Sequence, residues 1–196
     1  MNLANQITLS RLIIAIVLFV LLTLVDSQKS LQSAETFSFL MDISLVLFIL
    51  GAGSDYLDGY VARKYNMYTA FGRIADPLVD KIIIGGLFVF FVRLTPLISP
   101  WMVVVILARE MLVSSLRSYL ESHGVNFAAN WGGKIKMVLQ CISAGVILFY
   151  LGHWQGSEIA SWIVSILVWI TLAMTVGSSF PYFIKAFHLI KSKKLA

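Results

Sequence analysis

The sequence has little charge, a single cysteine and none of the glycine-rich loops that bind nucleotides. Cys141 is the only cysteine among 196 residues, so an intrachain disulfide is excluded. The absence of a G-x-G-x-x-G segment and of a Walker-type loop leaves dinucleotide and P-loop mechanisms unsupported. Charged residues make up only 13% of the chain and apolar residues 59%, which is too apolar for a soluble domain of this size. The composition predicts one membrane domain over residues 1–196 and no nucleic-acid partner.

Six apolar runs are candidates to cross a lipid bilayer, since a hydrocarbon core of about 30 Å needs roughly 20 apolar residues in a helix. They cover residues 9–25, 39–60, 77–92, 99–120, 134–151 and 158 to about 189. The last run is long and contains Gly177 and Pro181, which predicts a kink there. The segment L-A-N-Q-I-T-L-S-R before the first run predicts a short interfacial helix. The predicted fold class is an all-α integral membrane protein with six transmembrane helices and this N-terminal helix.

Basic residues are concentrated in the loops on one side of the predicted membrane. That side carries Arg63, Lys64, Arg73, Lys134, Lys136, Lys185, Lys191, Lys193 and Lys194. The loops on the other side carry only Lys29 and Arg93. Because cytoplasmic loops are enriched in Lys and Arg, both termini and the loop after the second run are predicted to be cytoplasmic. The chain is therefore expected to be a multi-pass protein of the cell membrane.

Four aspartates lie around the junction of the second and third apolar runs, at positions where carboxylates are costly and usually functional. They are Asp55, Asp58, Asp76 and Asp80. On helices, the first two share one stripe and the last two lie one turn apart on one face. If the two helices lie side by side, four carboxylates converge and repel one another unless a cation compensates them. Hard divalent cations such as Mg²⁺ or Mn²⁺ prefer oxygen ligands, and four carboxylates are enough for two ions.

Glycines and an arginine accompany these aspartates. Gly59 and Gly72 are positions where a bulky group can approach the backbone closely, and Arg63 offers a planar fork for phosphate. The alternative is that the aspartates are ordinary helix-end residues. Asp76 before Pro77 in particular has the pattern of an N-cap followed by proline in the first helical turn.

A second group of charges lies in the fourth and fifth runs. It comprises the cations Arg109, Arg117, Lys134 and Lys136, with Glu110 beside the first. Four cations beside a metal site predict a phosphorylated, dianionic acceptor, which an uncharged alcohol would not require. Lys134 and Lys136 are offset by about 200° on a helix, so only one of them is expected to face the site. The alternative is that these cations contact lipid headgroups or only set the topology.

The spacing D-x2-D-G-x2-A-R-x8-G-x3-D-x3-D resembles the signature of the CDP-alcohol phosphatidyltransferase family. Every fixed position is present: Asp55, Asp58, Gly59, Ala62, Arg63, Gly72, Asp76 and Asp80. The resemblance implies the CDP-alcohol phosphotransferase fold, two divalent metal ions held by the four aspartates, and often a homodimer. It also implies a CDP-linked lipid donor, bound at Asp58, Gly59, Ala62, Arg63 and Gly72. The last aspartate, Asp80, is the expected general base.

Other segments resemble the phosphatidylglycerophosphate synthase branch of that family. They are D-P-L-V-D-K at 76–81, A-R-E at 108–110, L-R at 116–117, G-K-I-K at 133–136 and N-x-x-T-x-x-R at Asn5, Thr8 and Arg11. This resemblance implies transfer of a phosphatidyl group from CDP-diacylglycerol to sn-glycerol 3-phosphate. Arg109, Arg117, Lys134 and Lys136 would hold the acceptor phosphate, and Asn5, Thr8 and Arg11 would support the site.

Two alternative functions remain open at this stage, and a third, a structural membrane protein, would leave the charged residues inside the apolar runs unexplained. The first is another enzyme of the same family, which would make cardiolipin, phosphatidylserine or an inositol lipid. The second is a cation transporter whose intramembrane carboxylates bind the ion that it moves.

Overall fold

The computed structural model describes residues 3–28, 33–65, 70–122 and 131–191, and helices are the only regular secondary structure in these ranges. The side chains of residues 3–7, 28, 55–65, 70–77, 189 and 190 lie outside that description. The helices are α1 (Leu3–Gln28), α2 (Ala34–Tyr65), α3 (Ala70–Leu94), α4 (Pro100–Ser122), α5 (Trp131–His153), α6 (Glu158–Gly177) and α7 (Phe180–Lys191). These ranges contain no strand, so the predicted all-α class is confirmed.

Four segments of the described chain are long and apolar enough to cross a membrane. They are Thr8–Ser27, Ala34–Ser54, Trp131–His153 and Glu158–His188, which correspond to the first, second, fifth and sixth predicted runs. Helices α3 and α4 occupy the places of the third and fourth runs. Helix α4 is the least apolar of the long helices, because Arg109, Glu110 and Arg117 interrupt it. The chain is a membrane protein, and the count of six spans stays a prediction.

Two predicted helix boundaries are wrong at their N-terminal ends. The predicted interfacial helix is not separate, because α1 continues from Leu3 to Gln28 and contains neither glycine nor proline to interrupt it. Helix α3 begins at Ala70, so Asp76 and Pro77 lie inside it and do not start it. The N-cap interpretation of Asp76 is therefore excluded.

The predicted kink in the last run is confirmed. Helix α6 ends at Gly177, and α7 begins at Phe180 after the two-residue turn Ser178–Ser179. The backbone N–H groups of Ser178 and Ser179 donate to the carbonyls of Met174 and Val176, both at 3.0 Å, and so satisfy the end of α6. Pro181 lies in the first turn of α7, where its missing N–H costs little.

The helices pack around α1, α3 and α5. Helix α1 contacts α2 and α3, α5 contacts α2, α3 and α6, and α4 contacts α3, α6 and α7. Two Arg–Asp ion pairs join α1 to α3: Arg11 with Asp80 at one end, and Asp26 with Arg93 at the other, where Asp26 Oδ2 lies 2.8 Å from Arg93 Nε. These pairs fix the register of α3 against α1 and thereby place Asp80.

Gly86 is a position where this packing leaves no room for a side chain. A Cβ atom there would overlap the ring of Phe19 on α1, whereas a Cβ at Gly53 on α2 would meet no atom within 4 Å. We expect Gly86→Ala to lower the free energy of unfolding by about 1–3 kcal/mol through overpacking. Thermal unfolding in detergent measures this effect, with Gly53→Ala as the control. An unchanged midpoint for Gly86→Ala would contradict the α1–α3 packing.

Candidate functional site

The four aspartates lie on two helices, and each helix is continuous through its own half of the motif. Asp55 and Asp58 lie on α2, and Asp76 and Asp80 lie four residues apart on α3, so each pair keeps the helical register that the sequence predicts. The side chains of Asp55, Asp58, Gly59, Ala62, Arg63, Gly72 and Asp76 lie outside the described residues. Asp80 is the member of the motif whose contacts the structure gives.

Asp80 is bound to Arg11 of α1. Arg11 Nη2 donates to Asp80 Oδ1, and the Arg11 side chain is fully buried while that of Asp80 is 23% exposed. Thr8, one turn before Arg11, is also buried, so this face of α1 points into the bundle. The side chain of Asn5, the third residue of the predicted supporting segment, lies outside the description. A fully buried arginine in an apolar chain requires a carboxylate partner, and here that partner is the predicted general base.

Lys81, next to Asp80, joins α3 to α4. Its Nζ donates to Ser114 Oγ. Asp80 and Lys81 therefore connect α3 to helices on two sides, α1 through Arg11 and α4 through Ser114. Sequence reasoning did not assign Lys81 to the site, although the D-P-L-V-D-K segment contains it.

A second charged cluster forms where α4, α5 and the α6–α7 turn meet. Arg109 Nη1 lies 3.1 Å from Glu110 Oε1, and Lys136 Nζ donates to the same oxygen. Arg109 Nη2 donates to Ser178 Oγ at 2.9 Å. The side chains of Arg109 and Lys136 are only 10% and 8% exposed. Arg109 Nε is buried and has no acceptor among the described residues, so the hydrogen-bonding capacity of this cluster is not fully satisfied within the described part of the protein.

The other two predicted acceptor residues point elsewhere. Arg117 Nε lies 2.8 Å from Glu121 Oε1 in an exposed pair on α4. Lys134 is exposed, and its Nζ lies 5.2 Å from the centre of the Trp131 ring, a cation–π contact. Lys136 is thus the buried member of the Lys134–Lys136 pair, as their helical offset predicted for one of the two. The structure brings Arg109 and Lys136 together and leaves Arg117 and Lys134 at the surface.

Glu110 and Ser178 complete this cluster, and neither was predicted as a site residue. Glu110 has a signal in the sequence, since a carboxylate inside an apolar helix requires a partner. For Ser178, the only signal in the sequence is its position in the predicted kink. Its contact with Arg109 spans 69 residues of sequence and depends on how α6 packs against α4.

The predicted metal site falls mostly on side chains outside the description. Among the residues whose side chains are described, no group of three or more His, Cys, Asp or Glu residues is arranged to hold a metal ion. The chemistry of the predicted set nevertheless fits, because carboxylate oxygens are the hard ligands that these divalent cations prefer. Asp80 accepts from Arg11 through Oδ1, and its carboxylate also carries Oδ2, an oxygen of the type that Mg²⁺ or Mn²⁺ binds.

Comparison with known proteins identifies relatives along almost the whole chain. Residues 1–177 match the family model of CDP-alcohol phosphatidyltransferase. The chain is 34% identical over 193 residues to the CDP-diacylglycerol–glycerol-3-phosphate 3-phosphatidyltransferase of Bacillus subtilis (strain 168), covering 97% of this chain and 98% of the relative. The enzyme of the same name from Rickettsia bellii (strain RML369-C) is 31% identical over 184 residues, 93% of each chain. A probable phosphatidylglycerophosphate synthase of Mycobacterium tuberculosis (strain CDC 1551 / Oshkosh) is 34% identical over 151 residues, which are 76% of this chain and 67% of the relative.

Proposed function

Because the chain belongs to the CDP-alcohol phosphatidyltransferase family, we propose that it transfers the phosphatidyl group of CDP-diacylglycerol to sn-glycerol 3-phosphate. The products are phosphatidylglycerophosphate and CMP, so the chain is a transferase of phospholipid biosynthesis. Relatives named for this reaction cover nearly its full length. The structural observation that supports the acceptor is the buried Arg109–Lys136 pair. These two cations share one carboxylate, that of Glu110, and the phosphate of a phosphorylated alcohol supplies the further negative charge that an uncharged alcohol lacks.

In the proposed reaction, a hydroxyl oxygen of glycerol 3-phosphate attacks the phosphorus atom that carries diacylglycerol. The new P–O bond forms as the bond to CMP breaks, and CMP leaves with the electron pair. Asp80 takes the proton of the attacking hydroxyl, as the general base. Arg11 holds the Asp80 carboxylate at a fixed position and keeps a positive charge beside it.

Asp55, Asp58, Asp76 and Asp80 would hold two Mg²⁺ or Mn²⁺ ions, which when bound supply charge compensation for the donor pyrophosphate and the leaving CMP. Asp58, Gly59, Ala62, Arg63 and Gly72 form the proposed donor site. They lie on the facing ends of α2 and α3, on both sides of the short connection between these helices. The donor site therefore occupies the end of the bundle at which Asp80 and Arg11 lie.

Arg109 and Lys136 form the proposed acceptor site, because they are buried and share Glu110. Arg117 and Lys134 lie at its periphery in this proposal and attract the anionic substrate from the surface. Lys81 adds a cation on the neighbouring face of α3, bound to Ser114.

The proposed arrangement in the membrane is one domain of six spans with the CDP-alcohol phosphotransferase fold. Both termini and the site face the cytoplasm, in the cell membrane, which the concentration of Lys and Arg on that side supports. A site at this edge of the bilayer is accessible to a lipid donor and to a water-soluble acceptor. A homodimer belongs to the proposal on the strength of the family resemblance.

The function is tested by CMP release from CDP-diacylglycerol by the purified protein in detergent, with Mg²⁺ or Mn²⁺. Glycerol 3-phosphate, serine, inositol phosphate and phosphatidylglycerol are offered separately as acceptors. The proposal requires turnover with glycerol 3-phosphate. Turnover with another acceptor alone would retain the family and overturn the acceptor. Absence of CMP release from folded protein, together with cation flux in liposomes, would favour the transporter.

The proposed acceptor site leads to a prediction about substrate affinity, for which the exposed cations of the same two helices serve as controls. We expect Arg109→Gln and Lys136→Gln each to raise the KM for glycerol 3-phosphate at least about tenfold, since each removes a charge-assisted hydrogen bond to phosphate. The KM for CDP-diacylglycerol should change little. Arg117→Gln and Lys134→Gln are the matched controls on the same two helices, with an expected change of less than about threefold. Equal effects of buried and exposed substitutions would contradict the site.

A further inference from the structure

The turn between α6 and α7 contains two serines that differ in one contact. Ser178 and Ser179 are both buried, at 7% and 6% exposure. Each hydroxyl donates to a carbonyl three residues earlier, Ser178 Oγ to Thr175 at 3.1 Å and Ser179 Oγ to Val176. Both therefore stabilise the end of α6 in the same way. Only Ser178 also accepts a hydrogen bond from Arg109, 2.9 Å from Nη2 to Oγ.

Together with Glu110, Ser178 holds the Arg109 guanidinium group in one orientation. Nη1 is held by Glu110 at 3.1 Å and Nη2 by Ser178. The side chain is nine-tenths buried, and Nε is a buried donor without an acceptor among the described residues. These two contacts use two of the five N–H donors of the guanidinium group, and three donors remain. A planar group held at two corners cannot rotate, so its orientation is set before the ligand arrives.

Ser178 is itself held in place by the packing of α6 against α5. A polar seam joins these helices: Gln140 Nε2 donates to Thr175 Oγ1 at 3.3 Å, and the hydroxyls of Ser143 and Thr171 lie 2.6 Å apart. Positions 171 and 175 of the last run therefore face 143 and 140 of α5, and Ser178 follows three residues after Thr175, to whose carbonyl its hydroxyl donates.

Gly132 allows the turn to approach the start of α5. A Cβ atom at Gly132 would lie 3.3 Å from Ser178 Cβ, tighter than ordinary packing allows. The absence of a side chain at Gly132 and the α5–α6 seam together determine how far Ser178 reaches towards α4.

We propose that Ser178 is a positioning residue of the acceptor site, which orients Arg109 for the phosphate group and makes the α6–α7 turn part of that site. The inference rests on the proposed function, in which Arg109 binds the phosphate of glycerol 3-phosphate. It assigns a role in substrate recognition to the last membrane run, through an uncharged residue of the turn.

The test compares Ser178→Ala with Ser179→Ala in CMP release at varied glycerol 3-phosphate concentration. We expect Ser178→Ala to raise the KM for glycerol 3-phosphate roughly five- to twentyfold, with kcat and the KM for CDP-diacylglycerol within about twofold, as for loss of one hydrogen bond to a charged group. Ser179→Ala should leave both KM values within about twofold. In the double variant Arg109→Gln/Ser178→Ala, the second substitution should add less than about twofold, since Ser178 acts through Arg109.

Each other outcome contradicts a specific statement. Equal KM values for Ser178→Ala and Ser179→Ala, with a raised KM for Arg109→Gln, would overturn the inference and leave the function intact. An unchanged KM for Arg109→Gln would overturn the proposed role of Arg109 itself. A loss of kcat and thermal stability in Ser178→Ala with no change in KM would show a structural role only. If Ser178→Ala does not fold, Ser178→Cys, which retains the volume but accepts hydrogen bonds weakly, must raise the same KM or the inference fails.

Discussion

Replacement of Asp80 by asparagine is expected to reduce kcat for CMP release by about 10²–10⁴-fold, the range for loss of a general base. Asparagine retains the size of the side chain but neither accepts a proton nor carries the negative charge that a divalent cation requires. The measurement is kcat at saturating CDP-diacylglycerol and glycerol 3-phosphate. The effect should appear with every acceptor that the enzyme uses, because Asp80 acts on the attacking hydroxyl and not on the acceptor phosphate.

Asp26 provides a matched control for Asp80. Both are aspartates in Arg–Asp pairs between α1 and α3, and the two pairs lie at opposite ends of these helices. Asp26→Asn removes the same charge from the same helix interface, far from the proposed site, and should retain at least about half of the wild-type kcat. If Asp80→Asn and Asp26→Asn reduce kcat equally, Asp80 has only a structural role and the proposed general base is wrong.

Replacement of Arg11 by glutamine should reduce both stability and kcat. The Arg11 side chain is fully buried, whereas Asp80 is 23% exposed, so the carboxylate left behind is partly solvated. Breaking a buried pair typically costs 3–5 kcal/mol, and this solvation places the expected loss at about 2–3 kcal/mol. We expect kcat to fall by about 10–10²-fold, because Asp80 is no longer held in one orientation. Thermal unfolding and CMP release measure the two effects separately.

Three variants distinguish positioning of Asp80 from a general loss of packing. Arg93→Gln breaks the other α1–α3 pair, but Arg93 is 73% exposed, so the expected cost is below about 1 kcal/mol with kcat unchanged. Arg11→Lys retains the charge without the planar fork and should have an intermediate kcat. In Arg11→Gln/Asp80→Asn, the stability loss should be less than the sum of the two single losses, because each single variant removes one charge of the pair and the double variant removes both. Wild-type kcat in a stable Arg11→Gln variant would contradict the role of Arg11.

The apolar runs of the sequence predicted much of the fold, because a run of membrane length is compatible with few structures other than a long apolar helix. It predicted the break near Gly177 and Pro181, since a run longer than one span with these residues must bend. The ends of α2 and α3 were less predictable. Pro77 suggested a helix start, yet α3 begins at Ala70, because proline in a helix can be tolerated when neighbouring helices support it.

The basic cluster shows where helical rotation alone is insufficient. Rotation placed Arg117 within about a quarter turn of Arg109. In the structure, the neighbouring Leu116 and the buried Leu120 pack towards α7 and Arg117 pairs with Glu121 at the surface. For α5, the sequence contained a better signal of which residues face the interior of the bundle. Lys136 is in register with Gln140 and Ser143, and polar residues aligned along an apolar helix indicate its inward face.

Contacts that are distant in sequence were the least predictable part of the site. Arg11 with Asp80 and Arg109 with Ser178 each span 69 residues. Neither helical period nor composition specifies which residues on different helices meet. The N-x-x-T-x-x-R segment predicts that Arg11 supports the site, and in the structure Arg11 is bound to Asp80.

The central claim is tested most directly by the fate of labelled glycerol 3-phosphate. Purified protein in detergent is given CDP-diacylglycerol, a divalent cation and [¹⁴C]glycerol 3-phosphate, and label in the lipid phase is measured together with CMP. The account predicts that label enters a phospholipid in a one-to-one ratio with CMP and that Asp80→Asn abolishes both, whereas Asp26→Asn does not. CMP release without label in the lipid phase, or labelling that persists in Asp80→Asn, would contradict it.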